Sequence, residues 1–326
     1  MIPLNEQKAR QFLAQNKITE CTIAKIAGDA SFRSYYRIFV DGQNFILMFA
    51  PPSHERTDHF VAIDKFLCEN NFSAPEIIAI DEKEGFILLE DFGDETYGRV
   101  LAKNSSNEIA LYKNACDCLV ELHKIAPPSG LETYNHALLF REVMLFVDWY
   151  LPHIKKIELT LAQKSRFKNL WFDLFDLLNR DHPVLVLRDY HADNLMILPK
   201  RKNYQSVGLL DFQDAVIGSV AYDLVSLLED ARRDVSKQTQ DEVFKHYLSA
   251  TNINEHDFAL DYAILSLQRN IKIVGIFARL AIRDSKPHYL NLLPRVVKHI
   301  TMRLEGSELM SKLAFKELAE FLRKFV

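Results

Sequence analysis

VLVLRDYHADNLMILPKRKNYQSVGLLDFQDA, residues 184–215, sets polar groups between apolar runs at fixed offsets. Val184–Leu187, Leu195–Leu198 and Val207–Leu210 read as short strands, with a polar turn from Arg188 to Asn194. Asp189 is followed five residues later by Asn194, and Asp211 stands at the end of the third strand. Transfer of a phosphoryl group needs one carboxylate to orient the attacking hydroxyl and accept its proton, and oxygen ligands to hold Mg²⁺ on the phosphates. Asp189 suits the first role, as the catalytic residue, and Asn194 with Asp211 suits the second. A hairpin from Leu195 to Leu210 would bring Asn194 and Asp211 to one metal.

Upstream, Ile18–Ala27, Tyr35–Val40 and Asn44–Ala50 read as strands, the last two joined at Asp41-Gly42, a strong hairpin signal. Pro51-Pro52 ends the third, and Ser53 is placed to cap a helix over 54–69 in which Phe60, Ile63, Phe66 and Leu67 recur at helical spacing. Two more strands, Glu76–Ile80 and Phe86–Glu90, flank a turn at 83–85. Beyond Asp91-Phe92-Gly93-Asp94 long helical periods take over: 109–124, 138–151, 221–230, 257–282 and 310–326. The expected architecture is α+β and bilobal. A small antiparallel sheet lobe with one helix spans 1–92, and a larger, mainly helical lobe spans 93–326.

Composition narrows the function. The 326 residues carry 40 Lys+Arg against 44 Asp+Glu, a net charge of −4, without the basic excess that binding a phosphate backbone needs. Nucleic acid is therefore not the expected partner. Cys21, Cys68, Cys116 and Cys118 show no metal or dithiol spacing and read as idle thiols of a reducing cytoplasm. The N-terminal stretch is broken by charge and lacks the apolar core of a secretory signal. Ile264–Ile282 is interrupted by Arg269, Lys272 and Arg279, too charged to span a membrane.

The D-x-x-x-x-N then D-F-x order of Asp189, Asn194 and Asp211-Phe212 resembles the protein-kinase-like superfamily, most closely the aminoglycoside phosphotransferase family. That resemblance implies a kinase-like bilobal fold with ATP and Mg²⁺ as cofactors. It places the loop Gly28–Ser34 over the phosphates, with Ser31, Phe32 and Arg33 as nucleotide contacts. It also makes Glu90, Asp91 and Phe92 the hinge whose backbone would meet adenine. One departure stands out: where protein kinases carry a phosphate-gripping lysine in the third strand, this chain has Met48. Either a charge from elsewhere, Arg33 being the candidate ahead of Arg37, reaches the phosphates, or nucleotide affinity rests on the loop and Mg²⁺ alone. Glu55 and Glu69, on the helix that would hold the lysine's partner, receive no role.

Gly28–Arg33, Leu47–Pro52, Leu89–Asp94, Leu187–Asn194, Leu210–Ala215 and Gln268–Arg279 together resemble the bacterial cell-wall amino-sugar kinases of this fold. The resemblance implies phosphorylation of N-acetylmuramate or N-acetylglucosamine at the anomeric hydroxyl during peptidoglycan recycling. A muramate carboxylate calls for cations in the pocket, for which Arg188 and Arg269 are candidates, whereas Lys272 reads better as a packing charge. His191 is placed either to touch substrate or to steady the loop. Glu142 and Trp149 could line the sugar site through a hydroxyl hydrogen bond and ring stacking. Asp223, at the start of the helix after the motif, resembles the aspartate that braces the catalytic loop. Two other readings remain: a kinase of the same fold acting on an aminoglycoside or a choline-like alcohol, and a catalytically silent nucleotide-binding protein.

Overall fold

From the N-terminus the chain runs α1 (Glu6–Gln15), β1 (Thr22–Lys25), β2 (Ser34–Val40), β3 (Gln43–Phe49), α2 (Asp58–Glu69), β4 (Ile77–Asp81), β5 (Phe86–Glu90), α3 (Tyr97–Lys103), α4 (Glu108–Leu122) and α5 (His136–Leu145). A π-helical segment, Phe146–Lys155, follows. Then come α6 (Leu161–Phe175), β6 (Val184–Val186), β7 (Leu195–Ile197), β8 (Val207–Leu209), β9 (Val216–Gly218), α7 (Ala221–Leu228), α8 (Lys237–Ala250), α9 (Glu255–Ile282), α10 (Leu293–Gly306) and α11 (Leu313–Leu322). This is a computed structural model, and it describes residues 4–26, 32–55, 57–306 and 308–325.

The chain forms two compact units. Met1–Lys103 and Asp193–Asp214 make the first; Asn104–Ala192 and Ala215–Val326 make the second. A boundary at residue 92 follows chain order. Grouping by contact instead keeps α3 and the β7–β8 hairpin with the sheet.

The first unit is an antiparallel sheet in the order β1-β2-β3-β5-β4. Side chains alternate between faces along a strand, so apolar residues at every second position can bury one face. Tyr36 and Ile38 of β2, Leu47 and Phe49 of β3, and Phe86 and Leu88 of β5 do so beneath Ala9, Phe12 and Leu13 of α1. Their neighbours Tyr35, Arg37 and Met48 therefore point to the opposite face, where Tyr35 stands directly across from Met48. The β7–β8 hairpin, registered Leu195 to Leu209, joins this unit through the Leu209 amide, which donates to the Ser73 carbonyl at 2.8 Å.

The second unit is built around α9, buried on nearly every side because it packs against α5, the π-helical segment, α7 and α10. Close approach requires Gly275. A Cβ there would overlap the backbone of Leu145 and Phe146, where α5 passes into the π-helical segment. β6 pairs with β9, Leu185 opposite Ile217, and the Tyr134 amide extends that pairing to the Ile217 carbonyl at 2.7 Å.

Three local expectations change. The helix expected from His54 starts at Asp58, because Pro51-Pro52 begins a tight turn in which the amides of His54 and Glu55 both donate to the Pro51 carbonyl. Ser53 bonds the His54 ring instead of capping a helix. The helix expected over 138–151 divides, since Pro152 lacks an N–H to donate and the turn widens.

Candidate active site

In the first unit the hairpin does what the spacing of the motif requires. The Leu210 amide donates to the Asn194 carbonyl at 3.0 Å, and the Asn194 side-chain amide lies 3.4 Å from one Asp211 carboxylate oxygen. The other Asp211 oxygen accepts from Gln213 at 2.8 Å. Asp211 has φ +60°, a left-handed conformation that aspartate tolerates better than most residues. The next residue, Phe212, is buried against the Phe60 ring, centroids 5.2 Å apart, which anchors the turn to α2. One carboxylate and one amide side by side suit Mg²⁺, which takes few protein ligands and completes its shell with phosphate and water. Among the described residues no group of three or more His, Cys, Asp or Glu forms a denser metal site.

The nucleotide residues expected from the sequence fall in this unit. Gly28 to Ser31 lie outside the described residues, Ser31 among them. The Phe32 amide donates to Glu55 at 3.3 Å, and Arg33 faces the same carboxylate, Nε to Oε2 3.7 Å. Glu90 ends β5, between β3 and β4: its amide donates to the Glu76 carbonyl, and its carboxylate receives Arg201 at 2.6 Å. Arg201 also lies over the Phe92 ring. Asp91 binds Arg37 and the Gly93 amide. Burial pushes the Tyr35 hydroxyl up to about 12, with Arg33 opposing and Asp211 reinforcing the shift.

The second unit holds Asp189 on a loop braced from beneath. Asp223 is fully buried and accepts from the amides of Leu187 at 2.6 Å and Arg188 at 2.8 Å. Those bonds hold Arg188 at φ +70°, a conformation an arginine does not adopt unaided. Asp189 itself is half-buried, which disfavours its charge, yet Lys272, followed by Arg269 and Arg188, overcomes this and holds its carboxyl below the ordinary range. It stands ionised at neutral pH, as a proton acceptor must.

Lys272 belongs to a buried network that sequence reading missed. Glu142 accepts from Arg188 and from Tyr134, from Lys272 at 3.0 Å and from Gln268 at 3.2 Å. Lys272 also donates to Tyr222 at 3.2 Å. Burial alone would raise Glu142, but Lys272 and Arg188 bring it below its usual value. The signal was present: Gln268 and Lys272 lie four residues apart, on one face of a helix, with Arg269 and Asn270 between them facing elsewhere. Arg269 turns the other way, donating to Ser226 at 2.8 Å. His191 accepts at Nε2 from Arg232 at 3.0 Å, and burial, with Arg232, lowers its pKa, so the ring is neutral. Trp149 is half-buried and stacks on His153.

A model of the phosphotransferase enzyme family matches residues 22–260, most of the chain and every residue of the motif. The chain belongs to that family. This phosphotransferase is 34% identical to an N-acetylmuramate/N-acetylglucosamine kinase of Caulobacter vibrioides, over 87% of this chain and 88% of that protein. It is 35% identical to one of the same name from Pseudomonas putida, over 88% and 85%. Its fold is similar to that of a spectinomycin phosphotransferase in complex with ADP and spectinomycin, with a TM-score of 0.67 over 93% and 99% of the two chains and 12% identity. The phosphotransferase is thus an enzyme of kinase-like fold, and no helix among its described residues is long and apolar enough to cross a membrane.

Proposed function

We propose that this enzyme transfers the γ-phosphoryl group of ATP to the anomeric C1 hydroxyl of N-acetylmuramate, N-acetylglucosamine or both, as a cytoplasmic step in peptidoglycan recycling. The observation that carries the chemistry is Asp189: a half-buried carboxylate kept ionised by surrounding cations, on a loop whose backbone Asp223 fixes. The acceptor class rests on the curated relatives, which carry that name across most of their length.

Asp189 orients the C1 hydroxyl and takes its proton as the oxygen attacks phosphorus. Asn194 and Asp211 would hold Mg²⁺, which when bound supplies charge neutralisation to the phosphates. Arg33 meets the nucleotide phosphates, and the strand end at Glu90–Phe92 meets the base. Arg188, held by Glu142, and His191 meet the acceptor, while Arg269, bonded to Ser226, acts on Asp189 through its charge. The charges acting on Asp189 from Lys272, Arg269 and Arg188 are positive, which suits a neutral or anionic sugar and disfavours a polycationic aminoglycoside or choline.

The test is incubation with Mg·ATP and a panel of N-acetylmuramate, N-acetylglucosamine, kanamycin and choline, with products read by ³¹P and ¹H NMR. An α-linked 1-phosphate on an amino sugar is expected. Transfer to kanamycin or choline alone would overturn the acceptor assignment, and no transfer to any of the four would overturn the reading as a whole.

A further inference from the structure

A nucleoside triphosphate carries several negative charges, and the third strand, with Met48 in place of a cation, supplies nothing to meet them. Two arginines stand near that position in the first unit. Arg37 is spent elsewhere: its guanidinium binds Asp91 at 2.6 Å, Asp94 at 2.8 Å and the Gly93 carbonyl at 3.0 Å. Arg33 is differently placed. Arg33 immediately precedes β2, in which Tyr35 and Arg37 share one face by alternation and Tyr35 pairs across the sheet with Met48. The Arg33 side chain is hydrogen-bonded to the Tyr35 hydroxyl, and that hydroxyl feels the charge of Asp211. Arg33 and Tyr35 thus stand together beside the strand that carries Met48, within the field of the metal-binding aspartate.

Glu55 is the element that fixes this arrangement. One of its oxygens receives the Phe32 amide and the other faces Arg33 Nε, with both side chains of the pair largely shielded, 11% and 20% exposed. A single carboxylate therefore ties down the backbone just before β2 and the arm of the arginine that follows. Glu55 can do this because the turn at Pro51 delays α2 to Asp58 and leaves residue 55 ahead of the helix.

We infer that Glu55 is a positioning residue that presents the Arg33 guanidinium, steadied by Tyr35, to the phosphates of the bound nucleotide, doing from just before β2 what Met48 cannot do from β3. The inference rests on the phosphotransferase reading above and extends it to Glu55 and Tyr35, which that reading leaves without a role. A planar guanidinium matches phosphate oxygens through paired hydrogen bonds, which a flexible ammonium does only as a point charge. Held by Glu55, the arginine loses less freedom when the nucleotide arrives.

The experiment compares Arg33→Ala, Arg33→Lys, Glu55→Gln and Glu55→Asp in the full-length protein. Affinities for ADP and for adenosine are measured by calorimetry in the presence of Mg²⁺, alongside KM for ATP and for the sugar. Arg33→Ala should weaken ADP binding by about 10- to 100-fold, the range of lost charge-assisted hydrogen bonds, with adenosine affinity and the sugar KM unchanged. Glu55→Gln should weaken ADP by about 3- to 10-fold in the same selective way, Glu55→Asp should recover part of that loss, and Arg33→Lys should fall between wild type and Arg33→Ala. Equal losses for ADP and adenosine would reveal a structural role and overturn the inference, as would ADP affinity unchanged in Arg33→Ala. Wild-type protein that failed to bind ADP at all would instead overturn the underlying phosphotransferase reading.

Discussion

The Glu142–Lys272 contact allows a quantitative test of how the second unit holds its charges. Glu142 is buried against two cations, Lys272 at 3.0 Å and Arg188. Changing it to glutamine leaves both without a carboxylate, and removing one member of a buried ion pair costs about 3–5 kcal/mol. Lys272→Met removes one cation but leaves Glu142 with Arg188, Tyr134 and Gln268, so its cost should be about 1–2 kcal/mol. In the double variant the glutamine and methionine no longer confront an unpaired lysine. The two effects should therefore fall short of additivity by about 1–3 kcal/mol. Both tryptophans, Trp149 and Trp171, lie in the second unit, so urea unfolding followed by their fluorescence reports on that unit alone. Additivity within about 0.5 kcal/mol would refute the claim that the contact is an energetic pair.

Other outcomes follow from the same geometry. Asp189→Asn should lower kcat by about 10²- to 10⁴-fold while leaving ADP affinity within twofold, measured by a coupled assay and by calorimetry. Asp189 works as the ionised form, and Lys272 is the leading influence that lowers its pKa against burial; Lys272→Met should therefore move the acid limb of kcat/KM to higher pH, and a shift to lower pH would contradict the placement of that charge. Gly275→Ala should destabilise the second unit by about 1–3 kcal/mol in the same fluorescence measurement, because α9 has no room to back away from Leu145 and Phe146.

What the sequence disclosed and what it withheld divide along a physical line. Strands and their order were readable because alternation and the Asp41-Gly42 turn are local, and β2, β3 and β5 fall within a residue or so of their expected bounds. The approach of Asn194 to Asp211 was readable because a short hairpin fixes it. The bracing role of Asp223 was legible only by resemblance, and its two amide bonds appear in the structure. Glu55 was missed since a charged residue after two prolines looks like the first turn of a helix, and its partner comes from the strand before. Glu142 looked like a sugar ligand because a carboxylate on an amphipathic helix advertises no partner. Lys272, 130 residues away in sequence, takes it up, and no period in the chain encodes such a pairing.

The first unit is not one continuous piece of chain. Its sheet is finished by residue 90, but the hairpin that carries Asn194 and Asp211 arrives only after the 89 residues of 104–192 have been made. During synthesis the sheet must wait, with Ser73 and Phe60 lacking the Leu209 amide and the Phe212 ring they later receive. Non-local closure of this kind slows folding and leaves an apolar surface open meanwhile. A ribosome stalled between residues 90 and 211 would therefore hold a chain with its sheet strands complete and no metal-binding aspartate, so this enzyme cannot acquire its phosphate chemistry until residue 211 has been translated.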